Sequence, residues 1–152
     1  MKKLIIPFVL IIVIGSIAAF TTITLKKEAT EAEIKALVEK AYIHGAFNEL
    51  NPEAMAAGFH KDFAIFSAKG EDLNRYEIAT WVASVKERKE SADFDPTKNI
   101  WDSKFALVDA TGNSAIAKVE LSKDGKHVFT DYLSLLKFES GWKIVAKVYT
   151  RH

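Results

Sequence analysis

The sequence contains no cysteine, and this absence excludes several classes of chemistry at once. Disulfide bonds, thiol catalysis, cysteine-based zinc sites and a lipid-modified cysteine all require that residue. The four histidines lie far apart along the chain, and none forms the closely spaced pair typical of a metal site. We therefore expect neither a metal ion nor another cofactor.

An excess of charge of one sign is also missing. The 152 residues include 21 basic and 20 acidic side chains, which gives a formal net charge of +1. Residues 1–25 contain Lys2 and Lys3 but no acidic residue, so 19 basic and 20 acidic residues remain beyond them, a charge of −1. We expect neither a basic surface for nucleic acid nor an acidic tail.

The longest stretch without charge lies at the N-terminus. Residues 4–25 are uncharged and stand between two pairs of lysines. Small residues such as Ala18 suit a cleavable signal peptide, whereas about 20 apolar residues also suit a membrane anchor. The sequence thus predicts export to the periplasm or the extracellular space, by a cleaved signal peptide or a retained anchor at 1–25. Residues 28–152 have the length of one domain.

Helical patterns fill the first half of that domain, and strand patterns fill the second. Apolar residues recur at helical spacing in "KKEATEAEIKALVEKAYIHGAFNEL", "NPEAMAAGFH" and "RYEIATWVASVKERKE". The segment "DFAIFSA" alternates like a strand, and four more alternating segments follow residue 100. The turn signals "TGN", "KDGK" and "ESG" separate those four, as in antiparallel hairpins. This order indicates the α+β class.

Local signals predict how the first two helices begin and pack. Thr30 followed by Glu33 predicts a capping box at the start of the first helix. Asn51 and Pro52 predict the N-cap and first position of the second. Gly45 costs the first helix roughly 1 kcal/mol relative to alanine, so we expect a close packing contact there.

Two strings of residues resemble a known family. They are "VEKAYIHGAFNELNPEAMAAGFHKDFAIF" (Val38–Phe66) and "FTDYLSLLKFESGWKIVAKVY" (Phe129–Tyr149). Both resemble the nuclear transport factor 2-like superfamily and, within it, the bacterial group labelled "putative lumazine-binding". The likeness implies three helices packed on a curved, mainly antiparallel, cone-shaped sheet with a pocket at its open end. It also implies a homodimer formed through the sheet.

The C-terminal hairpin carries the sharpest candidate residue, Asp131. A two-residue turn at Ser140-Gly141 would place Asp131 opposite Thr150, on an apolar face, with Lys147 on the other face. Continuing this register through a turn at Asp124-Gly125 would place Asp131 opposite Lys118. Both faces are partly apolar and bulges shift such registers, so alternation leaves open which face lines the pocket.

Asp131 and His60 are the candidate catalytic residues. A carboxylate among apolar neighbours can act as a general base. The alternative is a surface pair of Asp131 with Lys118, worth less than ~1 kcal/mol. His60 can serve as an acid or base, or can simply be hydrogen-bonded near the end of a helix.

Four aromatic residues are the candidates for ligand binding. Tyr42 can hydrogen-bond a ligand from the first helix, and Trp81 and Trp101 can stack on a flat heterocycle. Tyr132 lies on the second face of the hairpin. The alternative for Tyr42, Trp81 and Trp101 is an ordinary packing role.

Three functions remain open on these residues. The first is a domain that binds a small apolar or heteroaromatic molecule. The second is an enzyme similar to ketosteroid isomerase or the polyketide cyclases, with Asp131 or His60 as base and Tyr42 as donor. The third is a protein-interaction module that uses the sheet face around Tyr132, Lys147 and Tyr149.

Overall fold

The computed structural model of the chain describes residues 25–152. The predicted signal peptide or anchor lies outside these residues, apart from Leu25, and export stays a prediction. Within 25–152, no helix has both the length and the apolar character that crossing a bilayer requires.

Three helices pack on a six-stranded sheet. Helix α1 is α-helical from residue 25 to 38 and continues as a π-helix over Glu39–Asn48. The other elements are α2 (Pro52–Gly58), β1 (Phe59–Lys69), β2 (Asp72–Glu77), α3 (Ile78–Glu90), β3 (Asp102–Thr111), β4 (Ser114–Lys123), β5 (Lys126–Phe138) and β6 (Gly141–Arg151). The strand order is β2-β1-β6-β5-β4-β3, and only β1 and β6 pair in parallel. The predicted α+β architecture is confirmed.

The predicted start of α2 is confirmed, but that of α1 is wrong. Asn51 caps α2, because its side-chain oxygen accepts a hydrogen bond of 3.0 Å from the Ala54 amide. Thr30 lies inside α1 and its hydroxyl donates to the Lys26 carbonyl, four residues earlier. A threonine hydroxyl bonded within the helix cannot cap it, since a cap must precede the first turn.

Close packing of α1 on α2 explains two glycines. A Cβ added at Gly45 would lie 3.1 Å from the Met55 side chain, which confirms the close contact expected there. A Cβ at Gly58 would lie 2.2 Å from the Ala41 Cβ, a separation that no real contact shows. Larger side chains at these two positions would therefore push the helices apart.

A bulge in β6 decides which side chains face the helices. Ser134 pairs with Ala146 but Leu135 pairs with Ile144, so Val145 is an extra residue in β6. A one-residue bulge exchanges the two faces for every residue beyond it. Lys147 therefore points inward, opposite Leu133, and is 5% exposed. The predicted placement of Asp131 and Lys147 on opposite faces is wrong.

The turn and the register of the hairpin also differ from the prediction. Phe138 pairs with Gly141, so the two turn residues are Glu139 and Ser140 rather than Ser140 and Gly141. With the bulge added, Asp131 lies opposite Tyr149 instead of Thr150.

A second bulge corrects the pairing of β4 with β5. The Asp124-Gly125 turn forms as predicted, with positive φ at both residues. Leu121 then pairs with Phe129 and Ser122 with His127, which makes Val128 an extra residue. Asp131 consequently lies opposite Val119, and Lys118 lies opposite Tyr132. The predicted Asp131–Lys118 pair is wrong.

Candidate ligand-binding site

A cavity of about 310 Å³ lies between the helices and the sheet. Its walls come from α1, α3 and four strands, and its lining is mainly aromatic: Phe47, Ile65, Ser67, Asn74, Tyr76, Trp81, Phe129, Lys147 and Tyr149. Lys147 and Trp81 are buried, whereas Asn74 and Tyr149 are exposed. The first two therefore form the floor of the cavity and the other two lie at its mouth.

Three polar side chains meet at this floor, and Lys147 is one of them. The ammonium of Lys147 lies 2.7 Å from Oδ1 of Asp131 and donates a 2.6 Å hydrogen bond to the Tyr42 hydroxyl. That hydroxyl donates in turn to Oδ2 of Asp131 at 2.7 Å. Asp131 and Tyr42 are fully buried. The three groups form a closed ring, which we call the Asp131–Lys147–Tyr42 cluster.

Oδ1 of Asp131 depends on Lys147 alone. Within residues 25–152, no donor reaches this atom with hydrogen-bond geometry. The 2.7 Å contact with Nζ is therefore an ion pair without an aligned hydrogen bond. A buried carboxylate oxygen held in this way loses its compensation when the lysine charge is removed.

The π-helical part of α1 brings Tyr42 into the cluster. The sequence places Tyr42 one position away from the apolar stripe of a regular α-helix, with its hydroxyl expected most often at water. A π-helix bonds residues five apart, so Tyr42 and Phe47 share one face and their rings lie 5.2 Å apart. Tyr42 is completely buried as a result.

Burial shifts the pKa of two members of the cluster. Desolvation lowers the pKa of Lys147 from its ordinary value, although the negative charge of Asp131 opposes this shift. Desolvation, followed by the negative charge of Asp131, raises the pKa of Tyr42 well above its ordinary value. Tyr42 is therefore a neutral phenol at physiological pH, and it can donate its proton in a hydrogen bond.

Aromatic rings surround the lysine ammonium. Nζ lies 4.9 Å from the ring centres of Tyr42 and Tyr149 and 5.8 Å from those of Phe47, Trp81 and Phe129. Such distances allow cation–π attraction, which grows when the cation is desolvated. The rings thus stabilise a positive charge at this point, together with Asp131.

The structure brings together three of the predicted site residues. Asp131 and Tyr42 are in direct contact, and Trp81 lines the cavity with its ring 6.1 Å from that of Tyr42. Trp101 lies one layer behind, where it packs against Phe47 and stacks on Phe129. It reaches the cavity only through those two rings.

The other two predicted site residues lie elsewhere. His60 stacks on Phe138 at 4.9 Å, and its Nδ1 accepts a hydrogen bond from the Asp62 amide. Tyr132 is 46% exposed on the outer face of the sheet, with Lys118 over its ring. The catalytic role of His60 and the ligand-binding role of Tyr132 stay predictions, and these positions do not support them.

The outer face also bears on the interaction-module hypothesis. Lys147 and Tyr149 lie on the inner face with the cavity, so only Tyr132 of the three proposed residues is on the outer face. The exposed apolar residues beside it include Leu107, Ile116 and Val148. A homodimer through this face stays a prediction.

Sequence reasoning placed Lys147 and Tyr149 on a protein-interaction face rather than in the ligand-binding site, and it did not select Phe47. One local signal was available for Lys147. Ile144, Val145 and Ala146 are three apolar residues in succession, which a strictly alternating strand does not require. Such a run is the place to expect a bulge, and a bulge there turns Lys147 inward.

Comparison with known proteins fixes the family. The family described as "Putative lumazine-binding" matches residues 29–150. The chain belongs to this family. No curated protein matches the chain. This family match agrees with the resemblance seen in the sequence.

Three solved structures similar to this chain are described as NTF2-like (nuclear transport factor 2-like) proteins of unknown function. One from Silicibacter pomeroyi has 24% identity and a TM-score of 0.62, covering 80% of this chain and 94% of its own. One from Shewanella baltica has 26% identity, a TM-score of 0.60 and the same coverages. One from Methylobacillus flagellatus has 28% identity and a TM-score of 0.55, with coverages of 80% and 93%. They establish the NTF2-like fold.

Replacing Tyr42 tests the hydrogen bonds of the cluster. We expect Tyr42→Phe to lower the free energy of unfolding by about 1–3 kcal/mol, because Oδ2 of Asp131 loses a buried donor. Denaturant unfolding at neutral pH measures this loss. Tyr132→Phe is the matched control, since its ring is exposed, and should change stability by no more than about 0.5 kcal/mol.

The same variant tests the raised pKa of Tyr42. The folded state holds the phenol proton more tightly than the unfolded state, so this contribution to stability is complete below the unfolded tyrosine pKa of 10.0. It disappears as pH rises through the folded pKa. We expect wild type to lose stability faster than Tyr42→Phe between pH 10.0 and the folded pKa. Parallel curves would contradict the raised pKa, because the contribution of Lys147 is common to both proteins.

Proposed function

We propose that the cavity binds a small, flat, neutral heteroaromatic molecule whose carbonyl oxygen or ring nitrogen accepts a hydrogen bond from Lys147. The observation that carries this proposal is the lysine ammonium on the floor of an aromatic cavity. An ammonium has three N–H donors. Among residues 25–152, Asp131 and Tyr42 are the two polar groups in contact with Nζ, which leaves at least one N–H for a ligand.

Charge balance favours a neutral ligand over an anion. Asp131 already compensates the charge of Lys147 at 2.7 Å. A second negative charge in the cavity would be desolvated without a cation of its own, which is costly in a buried site. A neutral acceptor leaves the ion pair intact and receives a charge-assisted hydrogen bond.

Size and wall chemistry favour a bicyclic molecule. A volume of about 310 Å³ is at the small end for ligand pockets. Phe129, Trp81 and Tyr149 offer ring faces and edges, and Ser67 and Asn74 offer polar groups near the mouth. Lumazine, the compound in the family's description, is a flat bicyclic pteridine with two carbonyl acceptors and meets each of these requirements.

The enzyme hypothesis has one observation in its favour, the 2.7 Å contact between Asp131 and Tyr42. A general base, however, must reach a proton on the substrate. Asp131 is fully buried behind Lys147 and outside the set of lining residues, and His60 is not part of the cluster. The positions of these residues favour binding over proton abstraction by Asp131.

A paired ligand titration tests the binding proposal. We expect lumazine to raise the melting temperature of the full-length protein and to change the fluorescence of Trp81, whereas a lumazine carboxylate should bind more weakly. Ser67→Leu, which fills the mouth of the cavity, should weaken lumazine binding at least about tenfold. Ala68→Leu is the control, because the next residue of β1 points to the opposite face.

Two results would contradict the proposal. One is a flat response of wild type to lumazine, flavins and other neutral bicyclic heterocycles. The other is equal binding by wild type and Ser67→Leu, which would place the ligand outside the cavity.

A further inference from the structure

We propose that Lys147 captures an aldehyde or ketone group of the bound molecule as a reversible imine. This inference rests on the proposed function, because the carbonyl must first enter the cavity. It adds a covalent step in which Lys147 is the nucleophile and Asp131 and Tyr42 move protons. The three required groups are already in contact, at 2.6–2.7 Å.

Lys147 combines the two properties that a reactive amine requires. It lines the cavity, so its Nζ is in reach of a bound carbonyl. It is also only 5% exposed, and this loss of solvation favours the neutral amine that attacks a carbonyl carbon. Lysines on the solvated surface lack the second property, because water stabilises their charged form.

The first half of the reaction forms the carbon–nitrogen bond. The ammonium of Lys147 gives a proton to Oδ1 of Asp131, 2.7 Å away. The freed lone pair attacks the carbonyl carbon, and the carbonyl π pair moves to oxygen. Tyr42 protonates that oxygen and recovers a proton from the attacking nitrogen, since its hydroxyl lies 2.6 Å from Nζ. The product is a neutral carbinolamine.

The second half releases water. In the carbinolamine the hydroxyl is two bonds from Nζ, so it comes within reach of Asp131, whose Oδ1 lies 2.7 Å from Nζ. Asp131 returns its proton to this hydroxyl, the carbon–oxygen bond breaks, and the nitrogen lone pair forms the C=N bond. One carbonyl compound and one ammonium are converted into one protonated imine and one water, without oxidant or reductant. The net charge of the cluster is zero before and after.

The product suits the site as well as the starting lysine does. A protonated imine carries the same single positive charge at the same nitrogen, so Asp131 remains its counter-ion. The rings of Tyr149, Phe47 and the other three neighbours stabilise that cation as they stabilise the ammonium. Imine formation therefore leaves no buried charge uncompensated.

Reductive trapping tests the capture. The full-length protein is incubated with 2-naphthaldehyde and sodium cyanoborohydride, and each modified lysine is located by peptide mass spectrometry. We expect Lys147 to gain one naphthylmethyl group at least about tenfold faster than Lys143, which lies on the same strand. An excess of 2-naphthalenemethanol, which has the same shape but no carbonyl, should suppress modification of Lys147 alone.

Matched variants identify the nucleophile. Lys147→Arg keeps a cation beside Asp131 but has no amine, so the fast modification should disappear while thermal unfolding confirms the fold. Lys143→Arg should leave it unchanged, because Lys143 contacts the Ala57 carbonyl outside the cavity.

The outcomes separate this inference from the proposed function. If 2-naphthalenemethanol changes the fluorescence of Trp81 but Lys147 is modified no faster than Lys143, the imine is overturned and the binding site stands. If neither the alcohol nor lumazine binds and Lys147 stays unmodified, both are overturned.

Discussion

We expect Asp131→Asn to lower the free energy of unfolding by about 3–5 kcal/mol. The substitution keeps the shape of the side chain but leaves the charge of Lys147, which is 5% exposed, without a counter-ion. Removing one partner of a buried ion pair is costly because the other charge stays desolvated. Denaturant unfolding with an unchanged m-value would measure the loss.

The pH dependence of this variant identifies the cause. Asp131 is the group that opposes the lowering of the Lys147 pKa, so without it that pKa falls further. The folded variant then holds fewer protons than the unfolded chain, whose lysines titrate near 10.5. Its free energy of unfolding therefore rises with pH toward that value, and more steeply than for wild type.

Asp109→Asn is the matched control for Asp131→Asn. Asp109 is also a strand aspartate in contact with a lysine, Lys27 at 3.2 Å, but about half of its side chain is exposed. Its replacement should cost no more than about 0.5 kcal/mol. Equal losses from the two substitutions would show that Asp131 is not a buried, paired charge.

The architecture could be predicted because it depends on patterns that are local in sequence. Alternation with the turn at Asp124-Gly125 predicts the β4–β5 hairpin, and Asn51-Pro52 predicts the start of α2. Thr30 shows the limit of such signals. A capping motif favours the start of a helix at its own position, but it does not prevent α1 from beginning earlier.

The candidate site could be predicted only in part, because its assembly depends on three irregularities. Asp131 and Tyr42 were chosen for their chemistry, and both belong to the cluster. The π-helical turn of α1 brings Tyr42 to Asp131, and the bulge at Val128 places Asp131 opposite Val119 instead of Lys118. The arrival of Lys147 requires the bulge at Val145. Bulges reverse the parity that strand reasoning relies on. Because the carboxylate of Asp131 faces the core, it requires a buried cation. This requirement points to Lys147.

A double-mutant cycle between Asp131 and Lys147 should show the largest coupling in the domain. We expect Lys147→Met alone to cost about 3–5 kcal/mol, because the buried carboxyl group of Asp131 is left with only the Tyr42 hydroxyl as a partner. Asp131→Asn with Lys147→Met removes both charges and should lie within about 1–2 kcal/mol of wild type, well above either single variant.

The exposed pair of Lys104 and Glu120 supplies the control cycle. Their charged atoms lie 3.3 Å apart, but the Lys104 side chain is 75% exposed. Its coupling should be about 0.2–1 kcal/mol. A double variant of Asp131 and Lys147 that is as unstable as either single variant would mean that the cluster stabilises the fold by packing rather than by charge compensation.

The same double variant separates the fold from the site. Replacing a buried ion pair by uncharged groups often leaves stability unchanged, so an ion pair kept in a core is poor evidence for a stabilising role. If the double variant is stable and does not respond to lumazine, the Asp131–Lys147–Tyr42 cluster serves the ligand. A stable double variant that binds lumazine like wild type would instead remove Lys147 from the binding site and leave the aromatic walls as its sole determinant.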